Sequence, residues 1–429
     1  MVVARRPGFS RRPRLGSSEN ATALIVRSDA RNFNWLWAGQ TISLVGSAVS
    51  RLAIPTTAIF ALHASAFEVG ALGAATFVAF PVLGVFAGVW VDRWPRRRLM
   101  IACDIVRALA LGTLPFAAAL HALTLAQLFI VAIVTSVASV FFDIAYQAYL
   151  PDVVDADSLH EANARLEASS SGAQIAGNAA AGALIASLGA ALTIVIDAGS
   201  FGLSVLTLAC VRDKPRERSV AKTAIPFVRQ LRDGLNYVFS NRALLRIVLC
   251  TATSNLGGSM VGAVYLIFAY RTLHLSPTLV GLILAVGNAG FVGAFFAPRI
   301  VKRFGLPITL VSSMGVAALA QFLVPLSVRG FTVPLLIAEQ LIASAAAPIY
   351  NIAQVSWRQG AVPPELGGRM NATVRTIAWG TLPIGALIGA VLATSIGIVP
   401  TLVAAAFVYL WAVAWLLHPD VRAIGRSGA

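Results

Sequence analysis

The chain is poor in the side chains that soluble chemistry uses. Of its 429 residues only three are cysteine, five are histidine and 12% are charged. Cys103, Cys210 and Cys250 are isolated in or beside apolar runs, which leaves neither metal-ligand spacing nor a disulfide framework. Only Lys214, Lys222 and Lys302 are lysines, and none follows a glycine-rich phosphate loop, so a nucleotide-driven motor is excluded within this chain. Neither a paired-histidine motif nor a Gly-x-Ser-x-Gly elbow occurs, so no clustered catalytic centre and no metal or other cofactor is expected.

What is abundant is apolar surface. Hydrophobic residues make up 58% of the chain, with a mean hydropathy of +0.79, more than a soluble core of this length can hide. An all-α, multi-pass membrane protein is the expectation. The net charge of +15 would ordinarily suggest nucleic acid. Here the arginines sit in short gaps between apolar runs, where they orient spans and meet anionic lipid headgroups instead. Residues 1–33 are Arg-rich and read as a cytoplasmic tail.

A span needs about 20 apolar residues, and twelve such stretches can be read. They lie near 35–60, 68–91, 98–120, 123–147, 167–188, 191–211, 244–269, 277–298, 306–327, 332–355, 371–393 and 397–417. All but four of the 33 Lys and Arg residues fall in the tail, in the loops after even-numbered spans, within about a turn of the cytoplasmic span ends that flank those loops, or at the C-terminal end. Arg271 and Arg329 alone lie in opposite loops, and Arg51 and Arg107 inside spans. The basic side is cytoplasmic by the positive-inside rule, so both termini are expected in the cytosol, with the tail resuming at 419–429. Seven of the eight tryptophans lie near cytoplasmic span ends, and Trp379 alone reads as deep.

The segment 154–189 can be laid without a gap on 362–397. Asn163 then falls on Asn371, Gly177 on Gly385 and Gly189 on Gly397. Two six-helix bundles are therefore expected, at 34–211 and 243–418. The basic connector 212–242 joins them, and its helix-like apolar spacing at Phe227, Leu231, Leu235 and Val238 suits a surface helix. Paired six-helix repeats with a midplane site suit a carrier that rocks about that site better than a channel.

The run from Gly88 through Asp92, Arg93, Pro95, Arg96, Arg97 and Arg98 packs four cations and a carboxylate between two apolar segments. It resembles the loop between the second and third spans of major facilitator superfamily transporters. Trp37-Ala38-Gly39-Gln40 with Arg51 and Pro55, Asp104 to Leu109, and Phe141-Phe142-Asp143 through Leu150-Pro151 are similar to the drug, macrolide and siderophore efflux branch. The resemblance implies a secondary carrier working by alternating access, with this loop, from Gly88 through Asp92 to Arg97, in a cytoplasmic gate. Asp92 near a helix end, with Arg93, Arg96 or Arg97 reaching Asp143, would latch the inward side closed; the alternative is that these cations serve topology alone. Pro95 stands where that loop usually has glycine. Gly177-Asn178 replaces the Gly-Pro of the motif associated with antiporters, so antiport is not carried over from that motif.

An ionisable side chain in mid-membrane costs about 2.5 to 3.5 kcal/mol on insertion scales and needs a partner, a cavity or a role. Asp104 and Arg107, three apart, share a helix face, either as a switch in a central cavity or as a permanent pair. Asp197 and Glu339 have no opposite charge nearby in sequence and are candidates for reversible protonation; Arg51 would attract an anion or neutralise an acid. Together with Trp379 these residues form the expected substrate and proton pathway. The histidines map to span ends or loops, so carboxylates are left to carry protons. The reading is an exporter of a small amphiphilic compound (drug, macrolide or siderophore-like) in exchange for protons, monomeric and in a bacterial inner membrane. A facilitator or importer of a metabolite or lysolipid is the alternative.

Overall fold

The computed structural model describes residues 16–91, 93–154, 158–212, 227–362 and 364–424, whose regular structure is entirely helical. Asp92, residues 1–15 of the tail, most of the connector with Lys214 and Lys222, and 425–429 lie outside the described residues. The first half runs α1 (Gly16–Phe60), α2 (Ala66–Phe77), α3 (Ala79–Val91), α4 (Arg96–Ala119), α5 (Leu125–Val153), α6 (Leu159–Leu188) and α7 (Ala190–Cys210). Helix α8 (Phe227–Ser240) lies in the connector. The second half runs α9 (Arg242–Ile267), α10 (Pro277–Asn288), α11 (Ala297–Phe304), α12 (Leu306–Ala320), α13 (Leu323–Leu326), α14 (Thr332–Ala361), α15 (Pro364–Ser395), α16 (Ile398–Leu416) and α17 (Pro419–Arg422). A helix satisfies its own backbone groups, which is why it suits a chain this apolar.

Among the described residues eleven runs are long and apolar enough to cross a membrane. The expected twelfth crossing is α6, which has 30 residues and so spans about 45 Å. Its composition, rich in Ala, Gly, Ser, Asn and Gln, keeps it out of the apolar set. Placement explains this: α6 packs against α1 and α10, where small side chains let backbones approach. Large apolar side chains such as Leu109, Phe116, Ile130, Leu206 and Phe295 point outward from other helices, as lipid tails require.

Several helices outrun the expected spans at the end of the molecule that carries α8 and α17, here called proximal. Helix α5 continues to Val153, α6 starts at Leu159 and α14 continues to Ala361. Arg96 Nη1 donates to the Ala148 carbonyl at 2.7 Å and pairs with Asp152 at 3.0 Å. Arg97 donates to the Leu208 and Ala209 carbonyls that end α7. A cation on the last carbonyls of a helix satisfies otherwise orphaned acceptors. These contacts fasten the first bundle at its proximal end.

The spans are also less regular than expected. The second breaks at Val78 between α2 and α3. The eighth passes through a 3-10 stretch at Ala289–Phe296 before α11. Gly287, Gly290 and Gly293 recur every three residues, the 3-10 period, and each faces α14, where a Cβ would meet Gln340, Ser344 and Ala345. Ser344 Oγ then donates to the Gly287 carbonyl at 2.6 Å. The stripe of glycines thus seats α14 against its neighbour.

Positions related by the 208-residue shift behave alike. Gly189 and Gly397 both take positive φ, 83° and 92°, at the turns into α7 and α16. Gly177 packs on α1 and Gly385 on α9, each the first helix of its own half. The two halves join most closely at the distal end, away from the termini. There one apolar core runs through both, from Leu52, Leu72 and Leu114 to Met260, Phe268 and Leu402. At the proximal end the described cores are separate, around Met100, Phe142 and Leu208 in one half and Leu310, Tyr350 and Leu416 in the other.

Candidate functional site

Between the halves, beneath the shared distal core, lies a cavity of about 390 Å³. The first half contributes Arg51 from α1 and Asn178 from α6; the second contributes Tyr265 from α9, Gln321 after α12, and Glu339 and Gln340 from α14. Arg51 is exposed into this space and makes no hydrogen bond or ion pair among the described residues, although it interacts electrostatically with Asp197. Glu339 is 4% exposed and takes a hydrogen bond from Gln321 Nε2 at 2.9 Å. A second chamber of about 400 Å³ shares Gly258, Gly262 and Leu266 with the first and adds Pro55, Phe77, Asn255 and Tyr409. One side is charged and the other largely apolar, so an amphiphilic guest has both surfaces available.

The distal seal above the cavity is made of close cross-half contacts. Arg271 Nη2 donates to the Ala64 carbonyl at 2.8 Å, and the Thr56 and Tyr270 hydroxyls lie 3.1 Å apart. Phe60 sits against Tyr270 with ring centroids 5.0 Å apart. At the α6–α10 crossing a Cβ on Gly182 would lie 2.6 Å from the Pro277 carbonyl oxygen, and one on Gly281 2.6 Å from the Asn178 oxygen. Only glycine permits that approach.

Asp104, Arg107 and Asp197 are not in the described cavity wall but inside the first bundle. Asp104 is fully buried and ion-paired with Arg107, whose guanidinium lies 4.3 Å from the Phe142 ring centroid and 4.2 Å from that of Phe201. Cation–π contact on two faces compensates a charge removed from water. Asp197 Oδ1 accepts from Ser47 and Ser200 at 3.4 and 3.3 Å.

The gate residues divide. Gly88 lies in α3, Arg93 is exposed in the turn before α4, and Asp92 is outside the described residues. Arg96 and Arg97 are engaged at the ends of α5 and α7, as described above. Asp143 sits more than two turns before the end of α5 and interacts electrostatically with Arg107 and Arg375. Arg375 lies within the crossing Met370–Ser395. Its guanidinium is 4.7 Å from the Trp379 ring and 5.5 Å from that of Phe80 on α3, and these two rings are 4.4 Å apart. Trp379 is thus a cross-bundle contact, 37% exposed, rather than a described member of the cavity wall.

Arg375, Gln321 and Phe80 are the site residues that sequence reading missed. Arg375 stands near a helix start, where a cation is ordinary, and Gln321 carries no charge to explain. Their signal is spatial: each touches a residue that was already suspect.

Residues 27–427 match the family model described as a transmembrane secretion effector, a branch of the major facilitator superfamily. The chain belongs to this family. Macrolide efflux protein A of Streptococcus pyogenes is 25% identical over 374 residues, covering 85% of this chain and 90% of that protein. Multidrug efflux pump Tap of Mycobacterium tuberculosis is 27% identical over 386 residues, covering 85% and 88%. This major facilitator protein is therefore a transporter of the efflux branch, and its relatives are transporters rather than enzymes. The nucleoside transporter NupG superposes with a TM-score of 0.67 at 14% identity, covering 93% of this chain and 99% of that one. A bacterial homologue of the iron transporter ferroportin, in an inward-facing state, gives 0.72 at 16%, covering 91% and 99%. At such identities these structures speak for the fold alone.

Proposed function

We propose that this transporter expels a small amphiphilic compound from the cell by alternating access, in exchange for protons. The observation that carries the reading is one cavity walled by both bundles, with Arg51 and Glu339 facing it from opposite halves beneath a sealed distal end. With the proximal face cytoplasmic, as the basic loops require, the distal face is extracellular and the conformation described faces inward. Both termini then lie in the cytosol of a bacterial inner membrane. Separate proximal cores and a joined distal core are what rigid-body rocking of two bundles predicts for that state. The cavity is large enough for a small organic molecule, and both chambers are mostly apolar, with the charges of Arg51 and Glu339 confined to the first. No step requires a cofactor or a second subunit.

Purified protein in liposomes carrying a pH gradient tests this directly. A lipophilic compound should move against its own gradient only while the pH gradient lasts, and at least one of Asp104→Asn, Asp197→Asn and Glu339→Gln should abolish that movement with normal insertion. Three variants that all retain it would contradict proton coupling. A facilitator or importer of a metabolite or lysolipid is the second reading, favoured by Asn178 where antiporters carry proline and by its place in the cavity wall. Movement of the same compound inward, indifferent to the pH gradient, would select it.

A further inference from the structure

Four intramembrane carboxylates sit in or near the transport path, and they differ in what holds their charge. Asp104 is ion-paired with Arg107. Asp143 interacts with Arg107 and Arg375, and Asp197 accepts two serine hydroxyls. Glu339 has a single amide donor and no ion pair among the described residues. Its second oxygen, Oε2, is closed to solvent and has no hydrogen-bond partner among the described residues, and the same is true of Gln321 Oε1. Two orphan acceptors on two planar groups already joined by one hydrogen bond form an incomplete pair. A buried polar atom left without its hydrogen bond is costly, so two together mark a pair that a donor would complete.

What would complete the pair is a donor, and an amide and a carboxylic acid supply it between them. A proton on Glu339 Oε2 lets the acid donate to Gln321 Oε1 while Gln321 Nε2 continues to donate to Glu339 Oε1. The result is a ring of two hydrogen bonds with neither acceptor left over. We propose that Gln321 and Glu339 together hold the exchanged proton, with Gln321 as the positioning residue; this rests on the exchange reading above. The proton comes from the aqueous phase reached by the cavity and returns to it, so Glu339 alternates between charges of minus one and zero. The charged and titratable groups facing it are Arg51 from α1, Tyr265 from α9 and Tyr409 from α16. Arg51 makes the cavity neutral when Glu339 is ionised and singly positive when it is protonated. The protonated state therefore repels a cationic guest that the ionised state admits, and the exchanged class is a lipophilic cation.

The test is infrared titration of the purified protein in lipid discs, with tetraphenylphosphonium as the probe cation. Wild-type protein should show a protonated-carboxyl band that is lost on addition of the probe, with proton release to the medium. The band and the proton release should vanish in Glu339→Gln, whose amide can still pair with Gln321 in both directions and so preserves the fold. In Gln321→Leu the band should persist but move to higher frequency, because the acid loses both partners. Asp197→Asn should leave it in place. A band that survives Glu339→Gln, or one that disappears in Asp197→Asn, overturns the proposal. The spectrum needs no transport: a Glu339 band without pH-driven movement of the probe in liposomes would refute the exchange reading, whereas pH-driven movement in Glu339→Gln would refute the site alone.

Discussion

Arg107 shows how a charge is kept inside an apolar bundle. It pairs with Asp104 and lies between the faces of Phe142 and Phe201, with both charged side chains almost fully buried. Such a pair adds little beyond what an apolar pair would, but breaking it strands one charge. Asp104→Asn should therefore lower unfolding free energy by about 3 to 5 kcal/mol, read from denaturant unfolding in detergent. The double replacement Asp104→Leu with Arg107→Met should recover most of that loss. A single variant as stable as wild type would show that the pair is not what holds Arg107. Residues of this kind were legible in the sequence, because a charge in an apolar run has to be explained. Their distribution was not: spacing along one helix could not say that Arg51 and Glu339 share a cavity while Asp104 and Asp197 face the interior of one bundle. Gln321 left no trace at all, since an amide near a helix end is unremarkable until its partner is known.

Among the elements, α6 carries the largest discrepancy between composition and role. It has the length of a crossing and lacks the hydropathy, because its neighbours are helices on both sides. Its crossing with α10 depends on Gly182 and Gly281, whose backbones leave no room for a side chain. Overpacking a tight contact costs about 1 to 3 kcal/mol, and a coupling of that size shifts a two-state ratio by roughly 5- to 150-fold. Gly281→Val should open the distal seal by such a factor. A cysteine replacing Ala64, which is 2% exposed under the seal, should then react faster with an impermeant thiol reagent added outside. An unchanged rate would mean that the α6–α10 contact does not set the equilibrium. Existence of the helices followed from hydropathy. Their breaks did not, because the turn at Val78 and the 3-10 stretch after Asn288 arise from packing between distant segments rather than from local preference. The three-residue glycine spacing was visible in the letters, but only the neighbouring α14 gives it a purpose.

At the scale of the whole molecule, two bundles share one core at the distal end and keep separate cores at the proximal end. Packed interfaces are bistable rather than continuously deformable, so rocking should exchange one closed end for the other. The gapless match of 154–189 on 362–397 made the doubled architecture readable beforehand. The state of the molecule was not readable, since a sequence contains both ends of the cycle. Paired spin labels on a cysteine-free background follow that cycle most directly. One pair, at Ala122 and Val328, would span the distal ends of the two bundles; the other, at Arg98 and Arg422, would span the proximal ends. On passing from the state described here to the outward-facing one, driven by a change in pH or by a transported cation, the distal distance should lengthen while the proximal distance shortens. Two distances that stay fixed, or that change in the same direction, would contradict alternating access around the Arg51–Glu339 cavity.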